Sequence, residues 1–317
     1  MRELTALTTK PIQILDIGAR AGIHPRWEKL RHRFPVQITG FEADARECAA
    51  LNERATPGVR FLPCALSSRH KERPFHLLVG EGSSSLFQPN YPFINRTVAE
   101  AGYRLQRELM LPTKPLDAAL AEESIRGIDY VKIDTEGYEL EILKGAPETL
   151  KDVFAVELEV WFNPVFVGAP LFREVDVFMA VQGFTLFDLA RSNCFFKRKE
   201  GAALGGPKGQ LVAGDAIYFR DLAALPPESR FFEKEKLARC LVLLMQYAYY
   251  DVAMEFTGLA QRHGRLTDAE ANTIRTCIKR EGRRSMFDFP GKHTLEKLVK
   301  RIGRWLTKFE GDHLGNW

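Results

Sequence analysis

Residues 14–22 read Ile14-Leu15-Asp16-Ile17-Gly18-Ala19-Arg20-Ala21-Gly22, a hydrophobic run that stops at once in a glycine turn. In an open α/β sheet this is where the first strand hands the chain to the first helix, and where glycines let backbone approach a bound nucleotide closely. The two glycines are separated by three residues. A dinucleotide fingerprint wants glycine at its first, third and sixth positions, held here by Gly18, Arg20 and Ile23, so the spacing argues against NAD or FAD.

Outward from this turn, short β-branched or apolar runs alternate with amphipathic stretches over the first two thirds of the chain. That is the pattern of a mostly parallel sheet with helices between its strands. The runs predict strands at 12–17, 36–42, 59–66, 130–134, 154–160, 185–189 and 216–220. Asp44 is placed to cap a helix over 44–53, and the helix formers of 137–144 end at Gly145 and Pro147. Between the third and fourth strands, 75–79, the Gly/Ser-rich turn 80–85 and 107–112 predict an inserted hairpin or loop at the rim of the site. Segments 194–199 and 215–220, around the Gly/Ala-rich turn 201–209, predict a terminal antiparallel hairpin that closes the sheet edge. Beyond Leu225-Pro226-Pro227 the spacing is helical. A boundary near Asp221 separates residues 1–221, a Rossmann-like domain, from 222–317, a helical and basic segment.

The second predicted strand ends in Gly40-Phe41-Glu42-Ala43-Asp44. A carboxylate there can accept both hydrogen bonds from the vicinal hydroxyls of a ribose, which makes Glu42 the ribose candidate. Glycine turn and strand-end acid together select an adenosine-containing ligand. With no phosphate fingerprint, S-adenosylmethionine is the economical choice; a tight turn and a helix-capping acid are the bland alternative. The fourth strand brings Asp134 to its carboxyl end, facing the crevice where such sheets bind ligands. The fifth carries Glu157 and Glu159 among apolar residues, and a carboxylate in a buried strand is costly unless partnered.

Leu15-Asp16-Ile17-Gly18-Ala19, Phe41-Glu42-Ala43-Asp44, Ser83-Ser84-Ser85-Leu86, Leu116-Asp117, the run from Val131 through Asp134 to Glu139, and Leu143-Lys144-Gly145 follow one another in an order that resembles the motif series of FkbM-type methyltransferases. The resemblance covers residues 12–189. It implies a class I methyltransferase fold with S-adenosylmethionine as donor, and O-methylation of hydroxyls on sugars, polyketides or related metabolites. Arg20 stands where the family more often has a small polar residue. Asp16, Gly18, Ala19, Gly22, Glu42, Ala65, Ser84 and Ser85 are the donor-site candidates.

Methyl transfer from a sulfonium is an in-line displacement on an already activated carbon. The protein therefore chiefly aligns the acceptor and excludes water, and a hydroxyl acceptor must also lose its proton. Asp134, Glu157 and Glu159 are the catalytic candidates, as base or as acceptor-orienting groups. Each has a structural alternative: Asp134 as a helix cap or a partner of the donor's methionine moiety, Glu157 or Glu159 as partner of a buried Arg or Lys. His24 and His76 are weaker candidates, and a helix cap suits His24. No sequence-local ligand cluster calls for a metal, although Asp134 with Glu157 could hold a divalent ion. The rival functions are a catalytically idle module of the same fold, an N-methyltransferase, and an oxidoreductase on the same sheet.

The 317 residues suffice for one sizeable domain plus an accessory one, with the apolar and charged content of an ordinary globular chain. Cys48, Cys64, Cys194, Cys240 and Cys277 are odd in number and scattered, which fits a reducing cytoplasm and buried thiols. The N-terminal residues lack an export signal, and 241–254 reads as a buried helix rather than a membrane span. Over 275–308, eleven Lys or Arg face only Glu281, Asp288 and Glu296, and Leu295, Leu298, Val299, Ile302, Trp305 and Leu306 recur at helical steps. This basic amphipathic helix can pack on the apolar 231–260 segment, lie on an anionic membrane at the inner face, or grip a phosphate-rich partner. Packing is the simplest use, and nucleic acid the least expected partner.

Overall fold

A computed structural model describes residues 2–20, 22–191, 195–204, 208–285 and 298–299. Its strands are β1 (Ile12–Ile17), β2 (Val36–Glu42), β3 (Val59–Pro63), β4 (Ala65–Leu66), β5 (Lys71–Leu78), β6 (Leu105–Lys114), β7 (Tyr130–Ile133), β8 (Ala155–Trp161), β9 (Phe184–Ala190), β10 (Phe195–Phe196), β11 (Gln210–Leu211) and β12 (Ala213–Arg220). Its helices are α1 (Arg2–Thr5), α2 (Pro25–Arg31), α3 (Ala45–Glu53), α4 (Tyr91–Ile94), α5 (Leu116–Glu122), α6 (Glu139–Lys144), α7 (Pro147–Asp152), α8 (Phe172–Val181), α9 (Lys234–Gln246), α10 (Tyr250–Arg262) and α11 (Asp268–Ser285). The central sheet has the order β3-β2-β1-β7-β8-β12-β9. Only β12 runs against its neighbours.

Two of the predicted features take a different form. The third strand breaks at Cys64, so that 59–63 stays in the main sheet while Ala65–Leu66 turns away to pair with β6. The antiparallel terminal pair is β9 with β12, whereas Phe195–Phe196 pairs with Gln210–Leu211 in a separate ribbon. Sequence adjacency favoured the nearer partner, but β12 inserts between β8 and β9 and satisfies both. The insertion is a long hairpin, β5 against β6, with β4 alongside.

Period-two alternation sorts side chains onto two faces. Leu15, Ile17, Val131, Ile133, Val156, Leu158, Ala216 and Tyr218 face α5, α6, α7 and α8. Ile12, Ile14, Tyr130, Ala155, Ile217 and Phe219 face the other way, and there α2, α9, α10 and α11 share one core with the sheet. Phe154 stacks on Phe256 of α10 with ring centroids 5.6 Å apart, and each such buried side chain contributes roughly 1.5–3 kcal/mol. A buried ion group fastens α9: Lys236 and Arg239 lie 2.6 and 2.9 Å from the carboxylate of Asp129, which also accepts from the Gln13 amide. The apolar stretch 241–254 is two helices rather than one, because the chain turns at Ala248, whose φ is +64°. No helix among the described residues is long and apolar enough to cross a membrane. Cys48, Cys240 and Cys277 are buried and Cys64 is half-buried. Cys194 and most of the basic amphipathic stretch from Leu295 lie outside the described residues.

Candidate active site

On the face that carries α2 and α9, the strands start apolar and become charged toward the carboxyl ends of β1, β7 and β8. Asp16, Lys132 and Glu157 occupy one rung across these three strands. Lys132 Nζ lies 2.9 Å from Asp134 and 3.9 Å from Asp16. Asp16 is buried, and desolvation pushes its carboxyl up to about 6 against the pull of Lys132. Asp16 therefore lies beneath the glycine turn with Lys132.

The turn itself is built by close packing. Gly18 has φ +84°, and a Cβ there would come 1.9 Å from the Asp134 carbonyl oxygen, so only glycine lets the ends of β1 and β7 meet. The amides of Gly18 and Ala19 both donate to the Phe41 carbonyl, which ties the turn to the end of β2. Ala19 points into a small core with Cys48, Leu51 and Phe61, and Gly22 closes the turn through its amide to the Ala19 carbonyl. These two residues shape the turn without lining the adjacent pocket.

That pocket is lined by Gly18, Glu42, Ala65, Ser84, Asp134 and Glu136, among others. Phe41, Cys64, Leu66, Leu86 and Ile142 add apolar walls. Glu42 is buried and its carboxyl is pushed up, chiefly by desolvation, while one of its oxygens accepts from the Asp44 amide at 2.8 Å. Asp44 in turn caps α3, accepting from Arg46. Ser84 accepts from the Leu78 amide. Ser85 is buried, donates to the Glu136 carbonyl at 2.7 Å, and so fastens the inserted loop to the segment after β7. Across the mouth, Arg20 pairs with Glu81 at 2.5 Å.

The three catalytic candidates separate. Asp134 lines the pocket. Glu159 reaches the same place: oxygens of Asp134, Glu136 and Glu159 lie within 4.8 Å of one another, a spacing that a hard cation could also use. Desolvation and mutual repulsion push Glu136 and Glu159 well above the usual carboxylate range, and one Glu159 oxygen is buried with no hydrogen-bond partner. Glu136 holds a left-handed backbone, φ +57°. Glu157 is instead committed to Arg26 at 2.5 Å, to the Tyr130 hydroxyl at 2.9 Å and to the Tyr247 hydroxyl. His24 caps α2, accepting from the Arg26 amide, and His76 lies on β5 beside Glu108. The sequence reading missed Lys132, Glu136 and Arg26. Lys132 was within reach, since it sits between Tyr130 and Asp134 on the same alternating face.

Strand order, glycine turn and strand-end acid define a class I methyltransferase fold. A family model described as the methyltransferase FkbM domain matches residues 16–186, more than half of the chain, and the chain belongs to this family. The 2-O-methyltransferase NoeI of Sinorhizobium fredii (strain NBRC 101917 / NGR234) is 30% identical over 159 residues, 47% of this chain and 63% of that protein. The match thus spans less than two thirds of that relative. Among solved structures, methyltransferase FkbM from Methylobacillus flagellatus KT aligns at TM-score 0.36 and 12% identity, over 66% of this chain and 43% of that one. A SAM dependent methyltransferase from Aquifex aeolicus aligns at TM-score 0.32 and 11% identity, over 69% and 88%. At these scores the likeness adds nothing to the fold, which rests on the strand order.

The family implies S-adenosylmethionine, and the residues fit it. Glu42 keeps one carboxylate oxygen clear of the Asp44 amide in a pocket that also has apolar walls from Phe41, Leu66 and Leu86, which matches a ribose edge beside an adenine ring. Asp134 at the other end of the pocket offers a counter-charge for an ammonium group or an acceptor for a hydroxyl.

Proposed function

We propose that the chain is an S-adenosylmethionine-dependent O-methyltransferase acting on a hydroxyl of a saccharide or small metabolite. The observation that carries this reading is the trio Asp134, Glu136 and Glu159 beside the pocket that holds Glu42. The bound donor supplies an electrophilic methyl on sulfur. Glu42 holds the ribose, and Gly18 and Ala65 let the ligand lie close to backbone. Asp134, pinned by Lys132, orients the acceptor hydroxyl. Glu159, which burial and its acidic neighbours make a strong base once ionised, would take the acceptor's hydroxyl proton. The name of the relative NoeI, a 2-O-methyltransferase, supports a hydroxyl acceptor.

The test is methyl transfer from tritium-labelled donor to a panel of saccharides and hydroxylated metabolites. Glu159→Gln should lower kcat by roughly 10²–10⁴ while S-adenosylhomocysteine affinity holds. Transfer only to amine acceptors, or none by folded protein that binds the donor, would end the reading.

A further inference from the structure

Past residue 186, where the family match ends, the chain builds a second concavity on the charged face of the sheet. Its lining includes Glu157, Asp188, Asp215, Gln246, Tyr247 and Tyr249, and its volume is about 430 Å³. That falls within the roughly 300–1,000 Å³ of small-ligand sites. We infer that this cleft, formed where the turn between α9 and α10 meets β9 and β12, is the acceptor site and takes a neutral polyhydroxylated ring. The inference rests on the function proposed above and adds the place and chemical class of the acceptor.

The floor is rigid and already satisfied. Glu157 is held by Arg26, Tyr130 and Tyr247, and the Arg26 guanidinium sits 5.0 Å from the centroid of the Tyr247 ring. The walls are not satisfied. Asp215 is exposed and makes no hydrogen bond or ion pair among the described residues, and Asp188 accepts only from the adjacent Leu189 amide. Carboxylates can only accept, so an occupant must bring donors, and a ring of hydroxyls does this in adjacent pairs. Tyr249, seated edge-on against Phe187 and Phe219, adds an apolar body with a polar tip to pack against the C–H face of such a ring. Desolvation and the neighbouring Asp134 and Glu157 carboxylates push the Asp215 carboxyl up, against the weaker pull of Lys132 and Arg26.

Position joins the cleft to the chemistry. Asp215 lies opposite Glu159 in the β8–β12 register, and Glu159 reaches the carboxylates of Asp134 and Glu136. Those two line the donor pocket. A ring seated between Asp188 and Asp215 can therefore present one hydroxyl toward Glu159. On this view the family-matched residues bind the donor, and the helical segment selects the acceptor by supplying Gln246, Tyr247 and Tyr249.

The test titrates full-length protein loaded with S-adenosylhomocysteine against D-glucose, D-mannose, L-rhamnose and N-acetylglucosamine by saturation-transfer NMR, with Asp188→Asn, Asp215→Asn and Tyr249→Phe alongside wild type. Donor calorimetry on the same proteins tests the methyltransferase reading separately. The expected result is binding of at least one sugar that Asp188→Asn or Asp215→Asn weakens tenfold or more, with donor affinity unchanged. Asn at these surface positions leaves the fold intact, and Tyr249→Phe keeps the ring packing. Donor binding without any sugar binding, or sugar binding indifferent to all three substitutions, would overturn the assignment of this cleft while leaving the donor site standing.

Discussion

Arg26 donates to Glu157 across 2.5 Å, linking the start of α2 to the middle of β8. The carboxylate that a buried strand could not leave bare has its partner 131 residues away. Breaking a largely buried pair leaves an uncompensated charge, at a cost of roughly 3–5 kcal/mol. Glu157→Ala should therefore lower the free energy of urea unfolding by about 3 kcal/mol, with S-adenosylhomocysteine affinity nearly unchanged in the protein that remains folded. Intact stability with lost turnover would instead put Glu157 in the chemistry.

A pH-dependent cost is expected from Asp16, whose carboxyl is pushed up to about 6 from 3.8. Below about pH 4 it is protonated whether the chain is folded or not and costs nothing. As pH rises to 6 the folded state keeps a proton that the unfolded state has released, so stability falls, and above 6 the full cost of about 3 kcal/mol is present. Asp16→Asn should then be more stable than wild type at pH 7.5 and lose that advantage at pH 4. An equal difference at both pH values would contradict the burial argument.

The strands and the residues that line the pocket at their ends were legible because both are local. Alternation over 12–17 and 36–42 placed β1 and β2 to the residue, and the acid ending β2 marked Glu42. What escaped depends on distance in sequence. Nothing near Glu157 announces Arg26, nothing near Asp129 announces Lys236 and Arg239, and β12 pairs with β9 rather than with the segment just before it. Cys64 breaks a run that reads as one continuous strand, because the next two residues find a better partner in β6.

Entry of the donor should require Arg20 and Glu81 to part. With the pair closed, the pocket measures about 110 Å³, well under the roughly 300–1,000 Å³ of small-ligand sites. Both side chains are partly exposed, so salt should loosen them. Stopped-flow binding of S-adenosylhomocysteine should be several-fold faster in both directions for Arg20→Ala, with raised salt moving wild type toward the variant. Identical rates would mean that the pair does not gate the pocket.

Turnover should survive dialysis against EDTA. Lys132 is already paired with Asp134 at 2.9 Å and supplies the positive charge that an ion would otherwise bring to this cluster. Activity lost to EDTA and restored by magnesium would seat an ion among Asp134, Glu136 and Glu159.

The central claim is that the pocket at the ends of β1 and β2 binds the methyl donor through Glu42. Calorimetric titration of S-adenosylhomocysteine into wild type and Glu42→Ala tests it directly. Hydrogen bonds to a charged group contribute about 1.5–3 kcal/mol, so the substitution should weaken binding by roughly tenfold to a hundredfold. Equal affinity in the two proteins, or no binding by folded wild type, would contradict it.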